Sequence, residues 1–593
     1  MNSWHNIREH KILRLFYENL RLSAGTIFAV FFPKIVVVLN TNPNPNPMKN
    51  KLKFQLAFSL FLLFNTINFA QTPFWQWSNI GSGNGQDRAY CTTIDKSGNV
   101  YVAGQFSDST ITFGFIALTN SGHEDIFIVK FDPAGNYLWA TSAGDTGIDI
   151  ASGIACDTSG NVYVTGNFTS SQMVIGNSTL TNEGMNDLFI AKFDQNGAPL
   201  WAQSNGGTGM DFGNEIKSDG NGFIYLTGNF ASPSITFGST TLTAFGTSKS
   251  FTVKYDLNGN AVWAKGTDYT SYDQARSIAI DGNGNVFSAG TYYDYSVIIG
   301  SDTFPNQGNK DIYLSKYDQS GNFLWAISAG GFNADEVTCV ATDAIGNVYI
   351  TGHFYSPFIS FESTVLNNAA FPGWDMYIAK YSSTGNLIWV HSATANTFDD
   401  ACTGIAIDEW GNILVSGWFN GSFTLGTTTL QSEGGYDLFV ASFDTAGNAL
   451  WAKSAGGADD DFAMAMTYEA GGAYTTGFFA SPTCNFDAIA ISDANAGFDM
   501  FVAKLIYLIS SVPETESGID ILLFPNPANS HIKISTSLAG KISVKLFSQI
   551  GQCVYQSNVD AGDGIDVCGL AKGVYICEIK QNQILVNKKV IVN

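Results

Sequence analysis

The chain has 593 residues, 45% of them hydrophobic and 14% aromatic, with 61 glycines and 13% charged residues. That balance suits many short strands joined by tight turns and argues against a helical bundle. The net charge is −22, and residues 1–70 hold eight Lys/Arg and two Asp/Glu, leaving 21 basic against 49 acidic residues beyond them. Phosphate neutralisation dominates nucleic-acid affinity, so such a partner is disfavoured.

Residues 48–70 read as a secretory signal peptide. A basic start, Met48-Lys49-Asn50-Lys51-Leu52-Lys53, precedes an apolar run from Phe54 to Phe64 and the small residue Ala70, after which cleavage is expected. The run is short for a membrane span, so no transmembrane span is expected in the mature chain. A signal peptide should begin a chain, which makes residues 1–47 a mis-assigned or unstructured extension. The alternative is a genuine extension anchored by its apolar stretch, Ile27 to Leu39.

Seven tryptophans follow, Trp77, Trp139, Trp201, Trp263, Trp325, Trp389 and Trp451, spaced by 62 residues except for one interval of 64. A period of that length marks a repeat architecture. In the unit from Asp149 to Trp201, a first strand runs from Asp149 to Asp157 and Thr158-Ser159-Gly160-Asn161 turns it. Val162 to Phe168 forms a second strand. An insertion follows, with a small hairpin around Val174-Ile175-Gly176. Asp187 to Asp194 forms a third strand, and Leu200-Trp201-Ala202 lies in a fourth.

Four antiparallel strands per unit and seven units predict a seven-bladed β-propeller over residues 71–508. Trp77 is a fourth-strand tryptophan without preceding strands, and the last unit lacks a tryptophan strand. The N-terminal strand is therefore expected to complete the last blade and close the ring. A parallel β-helix is the alternative, but its coils are far shorter. The run Asp335 to Gly352, with Asp343-Ala344-Ile345-Gly346-Asn347-Val348-Tyr349 at its centre, and then Asp375-Met376-Tyr377-Ile378-Ala379-Lys380, resembles the SBBP family of propeller repeats over roughly residues 75–506. That resemblance implies a fold and no activity.

Residues 509–519 read as a linker. Residues 520–593 alternate apolar and polar, predicting a small C-terminal β-sandwich. Phe524-Pro525-Asn526-Pro527, Gly551-Gln552, Gly569-Leu570-Ala571-Lys572-Gly573-Val574-Tyr575 and Lys588-Lys589-Val590-Ile591 together resemble the type A C-terminal sorting domain of the type IX secretion system of Bacteroidetes. The resemblance implies type IX machinery as a partner and a secreted or outer-membrane cell-surface location.

Antiparallel connectivity puts the insertions and the fourth-to-first connections on one face, where variable loops on a rigid scaffold carry function. Asp87, Asp149, Asp211, Asp273, Asp335, Asp400 and Asp461 begin the innermost strands there. They are candidates for a carboxylate ring that recruits Ca²⁺, or for caps of their own turns. The turn residues Asp95, Asp157, Asp219, Asp281, Asp343 and Asp408 are more strongly caps. Tyr292, Tyr293, Tyr295, His353, Tyr355, Trp374 and Trp418 mark where the repeat breaks on that face. They are candidates for stacking on sugars, or for packing of the insertions. The tryptophan ladder itself is expected to be core.

None of the eight cysteines forms a CxxC pair, and Cys568 and Cys577 could bridge. No GxSxG, HExxH, P-loop or EF-hand pattern occurs, so no catalytic residue is assigned. The expected function is a non-catalytic binding or adhesion scaffold with glycans or surface proteins as partners. The alternatives are a polysaccharide-active hydrolase or lyase, or a structural surface-layer component.

Overall fold

The computed structural model describes residues 71–593 apart from 245–247, 268–271, 294, 394–397, 470, 493–496, 509–520, 525–529, 537–539, 548–552, 561–562, 571–572, 582–583 and 593. The expected extension, signal peptide and linker, and parts of the C-terminal motifs (Pro525-Asn526-Pro527, Gly551-Gln552 and Ala571-Lys572), lie outside the described residues. Among the described residues every regular element is a strand. These residues are therefore all-β, and no helix among them is long and apolar enough to cross a membrane.

Residues 71–508 build seven four-stranded antiparallel sheets. Sheet two is the pattern, with strands Asp149–Cys156, Val162–Phe168, Asp187–Phe193 and Pro199–Asn205. Its register aligns Asp149, Phe168 and Asp187 at one end, and Cys156, Val162 and Phe193 at the other. Sheets one and three to six span 87–143, 211–266, 273–329, 335–392 and 400–455. Sheet seven takes its first three strands from 461–508 and its outer strand from Gln71–Gly81, with Trp77 opposite Lys504. The expected hairpin in the insertion is present as Gln172–Ile175 paired with Ser178–Thr181. In sheet six it is fused to the main strands Ile413–Leu425 and Thr428–Phe443.

Packing explains the sequence pattern. The third strand of sheet two is buried at all seven positions, so its apolar residues run on without alternation. Each hydrophobic cluster lies between neighbouring sheets. Tyr101 and Ile128 of sheet one pack with Ile154 and Phe189 of sheet two, and Tyr474 and Val502 of sheet seven pack with Val102 and Phe127 of sheet one.

The tryptophans sit at these same seams. The Trp139 indole N–H donates to the Gln195 carbonyl in the turn of the next sheet at 3.0 Å, and Lys130 Nζ donates to the same oxygen at 3.1 Å. The arrangement recurs for Trp201 with Lys192 on Leu257, Trp263 with Lys254 on Gln319, Trp325 with Lys316 on Ser383, and Trp389 with Lys380 on Thr445. Trp77 and Lys504 make the same pair of bonds to Pro133 of sheet one. The accepting turn carries a glycine beneath the indole: a Cβ on Gly321, whose φ is +79°, would lie 2.9 Å from the Trp263 ring.

Beyond residue 520, Ile521–Phe524, His531–Thr536 and Gly564–Asp566 form one sheet. Cys553–Asp560, Lys541–Phe547, Gly573–Gln581 and Ile584–Val592 form another. Ile532, Ile534 and Ile565 of the first share one apolar cluster with Val544, Leu546 and Ile579 of the second. Cys568 is exposed and Cys577 buried, and both are free thiols, so the two do not bridge.

Candidate functional site

The first-strand aspartates are buried, and most of them brace loops that flank their own sheets. Asp149 Oδ2 accepts from Ser170 Oγ at 2.7 Å and Asp145 N at 3.0 Å, and its Oδ1 accepts from the Thr169 and Ser170 amides. Asp211, Asp335 and Asp461 hold Ser232, Ser356 and Ser481 in the same way. Asp273 accepts from Thr267 Oγ1 at 2.9 Å, and Asp400 from the Met376 amide at 2.9 Å. Asp87 is fully buried. No three of the seven bring ligand atoms within 4.8 Å of one another. Among the described residues the only group of three or more His, Cys, Asp or Glu with ligand atoms within 4.8 Å of one another is His531, Asp566 and Cys568. For Asp149, Asp211, Asp335 and Asp461 the geometry is that of caps, with a serine of the loop after the second strand of the same sheet as donor.

The tight-turn aspartates behave likewise. Asp157 accepts from the amides of Ser159 and Asn161, the Asn161 side chain and the Tyr163 hydroxyl, all at 2.7–3.1 Å. Asp95, Asp343 and Asp408 repeat the motif, and Asp219 and Asp281 keep its amide contacts.

A second set of carboxylates, at the start of the third strands, was not singled out from sequence. Asp125, Asp187, Asp311, Asp375 and Asp437 each accept one loop amide on Oδ2, while Oδ1 is buried without a hydrogen-bond partner among the described residues. In four of them Oδ1 lies under a glycine: a Cβ on Gly144 would come within 2.2 Å of Asp125 Oδ1. Burial pushes Asp125, Asp187, Asp311 and Asp437 up to about 6, and Asp375 up to about 7. Asp335 and Asp461, also through burial, rise to about 7. Lys249 occupies the equivalent position in sheet three, opposite Phe230 as Asp187 is opposite Phe168. The available signal was the recurrence of Asp immediately before the third-strand apolar run in every sheet but the third.

Four of the seven aromatic candidates come together. His353 stands edge-on to Trp374 at 4.7 Å between ring centroids and lies 6.5 Å from Trp418, while Tyr355 lies 5.4 Å from Trp374. The row continues from Trp418 to Tyr436 at 5.0 Å and Phe462 at 5.8 Å, and from Phe462 to Phe478 at 5.4 Å. It ends at the Arg88 guanidinium, 5.3 and 5.0 Å from the centres of the Phe478 and Phe498 rings. The rings of this shelf are half-buried, and Phe371, 6.1 Å from Tyr355, is exposed. Asp399 clamps the shelf, accepting from Trp374 N at 2.8 Å and from the Tyr436 hydroxyl at 2.9 Å.

The other three candidates separate from the shelf. Tyr292 is fully buried, its hydroxyl 2.8 Å from Ser328 Oγ, and belongs to the core. Tyr293 packs edge-on to Tyr272 at 5.3 Å and carries Lys310 over its ring at 4.7 Å. Tyr295 is 88% exposed. Lys310 is ion-paired with Glu336, which also lies 3.8 Å from Arg276 Nη2 and pairs across the strands with His353. Burial pushes His353 down to about 4, against the pull of Glu336, so its imidazole is neutral at physiological pH. Its Nδ1 is buried and has no hydrogen-bond partner among the described residues.

A cavity of about 140 Å³ is lined by the first strands of all seven sheets, including Ser152, Asn214, Arg276, Thr338, Thr403, Met464 and Tyr90, whose ring lies 6.5 Å from Phe478 of the shelf. Inside it Glu215 pairs with Lys217 at 2.6 Å and accepts from Ser277 Oγ and Ile278 N in the next sheet.

Comparison with known proteins adds family information to this geometry. Residues 138–167 match the SBBP beta-propeller repeat, and residues 522–593 match a secretion system C-terminal sorting domain. An uncharacterized WD repeat-containing protein of Acanthamoeba polyphaga mimivirus is 28% identical, over 56% of this chain and 30% of that protein. The regulatory protein FlaEY of Caulobacter vibrioides is 26% identical, over 23% of this chain and 14% of that protein. The chain thus spans less than a third of the length of either relative. Among solved structures, the WD40 beta propeller domain of Doa1 aligns with 74% of this chain and 97% of its own, at 10% identity and a TM-score of 0.38. The sorting domain implies interaction with the type IX secretion machinery and export to a secreted or cell-surface location. The chain carries an SBBP beta-propeller repeat and a type IX C-terminal sorting domain.

Proposed function

We propose that this protein is an exported, non-catalytic binding scaffold whose aromatic shelf takes the apolar face of a glycan. One observation carries the reading. His353, Trp418 and Phe478 occupy the strand position held by Gln105, Asn167, Asn229 and Thr291 in the other sheets. Three consecutive sheets thus turn a polar position into rings that join one row, His353 to Trp418 directly and Trp418 to Phe478 through Phe462. Aromatic faces next to isolated polar groups suit sugars, whose rings present C–H groups on one side and hydroxyls at the edge. The neutral His353, Asp399 and Arg88 supply those polar groups.

The scaffold is a seven-bladed propeller over 71–508, its ring closed by the N-terminal strand. The pairing of Gln71–Gly81 in sheet seven, the Trp77–Pro133 bond to sheet one and the cavity bordered by seven first strands support that architecture. Residues 48–70 act as the signal peptide and 509–519 as the linker. Residues 520–593 form a β-sandwich sorting domain, supported by two sheets that share one core. A glycan array probed with the full chain and with Trp374→Ala and Trp418→Ala tests the function. Binding lost in both variants is expected, and variants that bind as the parent does would defeat the reading.

A further inference from the structure

We infer that the sorting domain carries a binding site for a zinc-class divalent ion, built by His531, Asp566 and Cys568. Their ligand atoms, one nitrogen, one carboxylate oxygen and one sulfur, all lie within 4.8 Å of one another, and all three side chains are exposed. Tetrahedral zinc, with bonds of about 2.0–2.3 Å, places its ligands about 3.3–3.8 Å apart, so small side-chain rotations close the set.

The backbone already holds the three in place. His531 pairs with Asp566 across adjacent strands. Val567 N donates to Ser530 O at 2.7 Å, which ties the segment bearing Cys568 to the strand bearing His531. Asp566 Oδ1 accepts the Cys568 amide at 2.9 Å, which orients the carboxylate, and the Cys568 thiol, which donates to Ser530 O at 3.7 Å, gives up that contact when it loses its proton to bind an ion.

The donor types select the metal. Imidazole and thiolate suit zinc and its neighbours, whereas Ca²⁺ and Mg²⁺ demand oxygen. Three protein ligands leave a fourth position to water, and the exposure of the set makes the ion exchangeable. Binding converts the Cys568 thiol to thiolate, forms one metal–sulfur bond and releases one proton to solvent. The ion would then link the two strands through their side chains. This site is independent of the aromatic shelf and of any glycan.

Co²⁺ titration of the metal-stripped full chain under a non-thiol reductant tests the inference. One equivalent should give a thiolate-to-cobalt charge-transfer band that Zn²⁺ abolishes. Cys568→Ser should remove the band, and His531→Ala should weaken Co²⁺ binding at least tenfold, each with an unchanged circular dichroism spectrum. A titration without the band overturns the site, as does a band of equal strength in Cys568→Ser or an affinity unchanged by His531→Ala.

Discussion

The seam bonds made by the tryptophans give the sharpest energetic prediction. Trp263 Nε1 and Lys254 Nζ both donate to the Gln319 carbonyl, at 3.2 and 3.0 Å, and both residues are buried. Trp263→Phe removes one donor, and the carbonyl keeps the other. The hydrogen-bond part of the loss should be about 0.5–1.5 kcal/mol. Lys254→Met removes the charged donor and its contact over the Phe223 ring at 3.9 Å, while Trp263 still caps the carbonyl. Only the double variant leaves the oxygen without a partner, at an added cost of about 1–3 kcal/mol. Lost indole packing enters the single and the double variant alike and cancels in the cycle. Denaturant unfolding followed by circular dichroism should therefore give a double variant worse than the sum of the singles by at least about 1 kcal/mol. Additivity within about 0.5 kcal/mol would refute the shared-carbonyl account of the seam.

Three further outcomes follow from the same geometry. Gly321→Ala places a Cβ on a left-handed residue 2.9 Å from the Trp263 ring, so it should lower stability by at least about 1 kcal/mol in the same assay. Burial raises Asp125, Asp187, Asp311 and Asp437 to about 6, and Asp335, Asp375 and Asp461 to about 7, from an ordinary 3.8. Their protonated forms are favoured in the fold, so this stability is fully present below about 3.8 and is lost as pH rises through 6–7. His353, held down to about 4, acts in the opposite sense as a single group. The melting temperature should fall between pH 5 and pH 8, and Asp125→Asn with Asp187→Asn should flatten that slope; a melting temperature that rises over this interval would contradict it. Deleting residues 71–81 strips the outer partner from Asp499–Leu508, which stays paired with Gly472–Phe479, so the truncated chain should self-associate in analytical ultracentrifugation, and a monomer as stable as the parent would count against ring closure.

The repeat made the strands legible, because Gly, Asn and Asp turn signals alternate with apolar runs at a fixed period. Position within the repeat was harder to read. Tyr292 looked like a deviation because it lies near Gly290, but it pairs with Asp273 as Phe168 pairs with Asp149, so it conforms to the aromatic core of every sheet. His353 and Trp418, one position earlier in register, are the true departures. The third-strand aspartates were visible as a recurrent letter, yet their unpartnered oxygens depend on loop amides and glycines folded over them. The indole–carbonyl bonds join residues 56 or 58 apart across two sheets. No local pattern announces such a bond, and only the neighbouring turn reveals why an edge strand keeps a tryptophan.

Isothermal titration of an array-positive oligosaccharide into three proteins measures whether a glycan sits on the shelf of His353, Trp374 and Trp418. The three proteins are the parent chain, Trp418→Ala and the seam variant Trp263→Phe. Trp418→Ala should bind with a Kd at least about tenfold weaker, and Trp263→Phe with an unchanged Kd. Equal affinities for the parent and Trp418→Ala would contradict binding on the shelf.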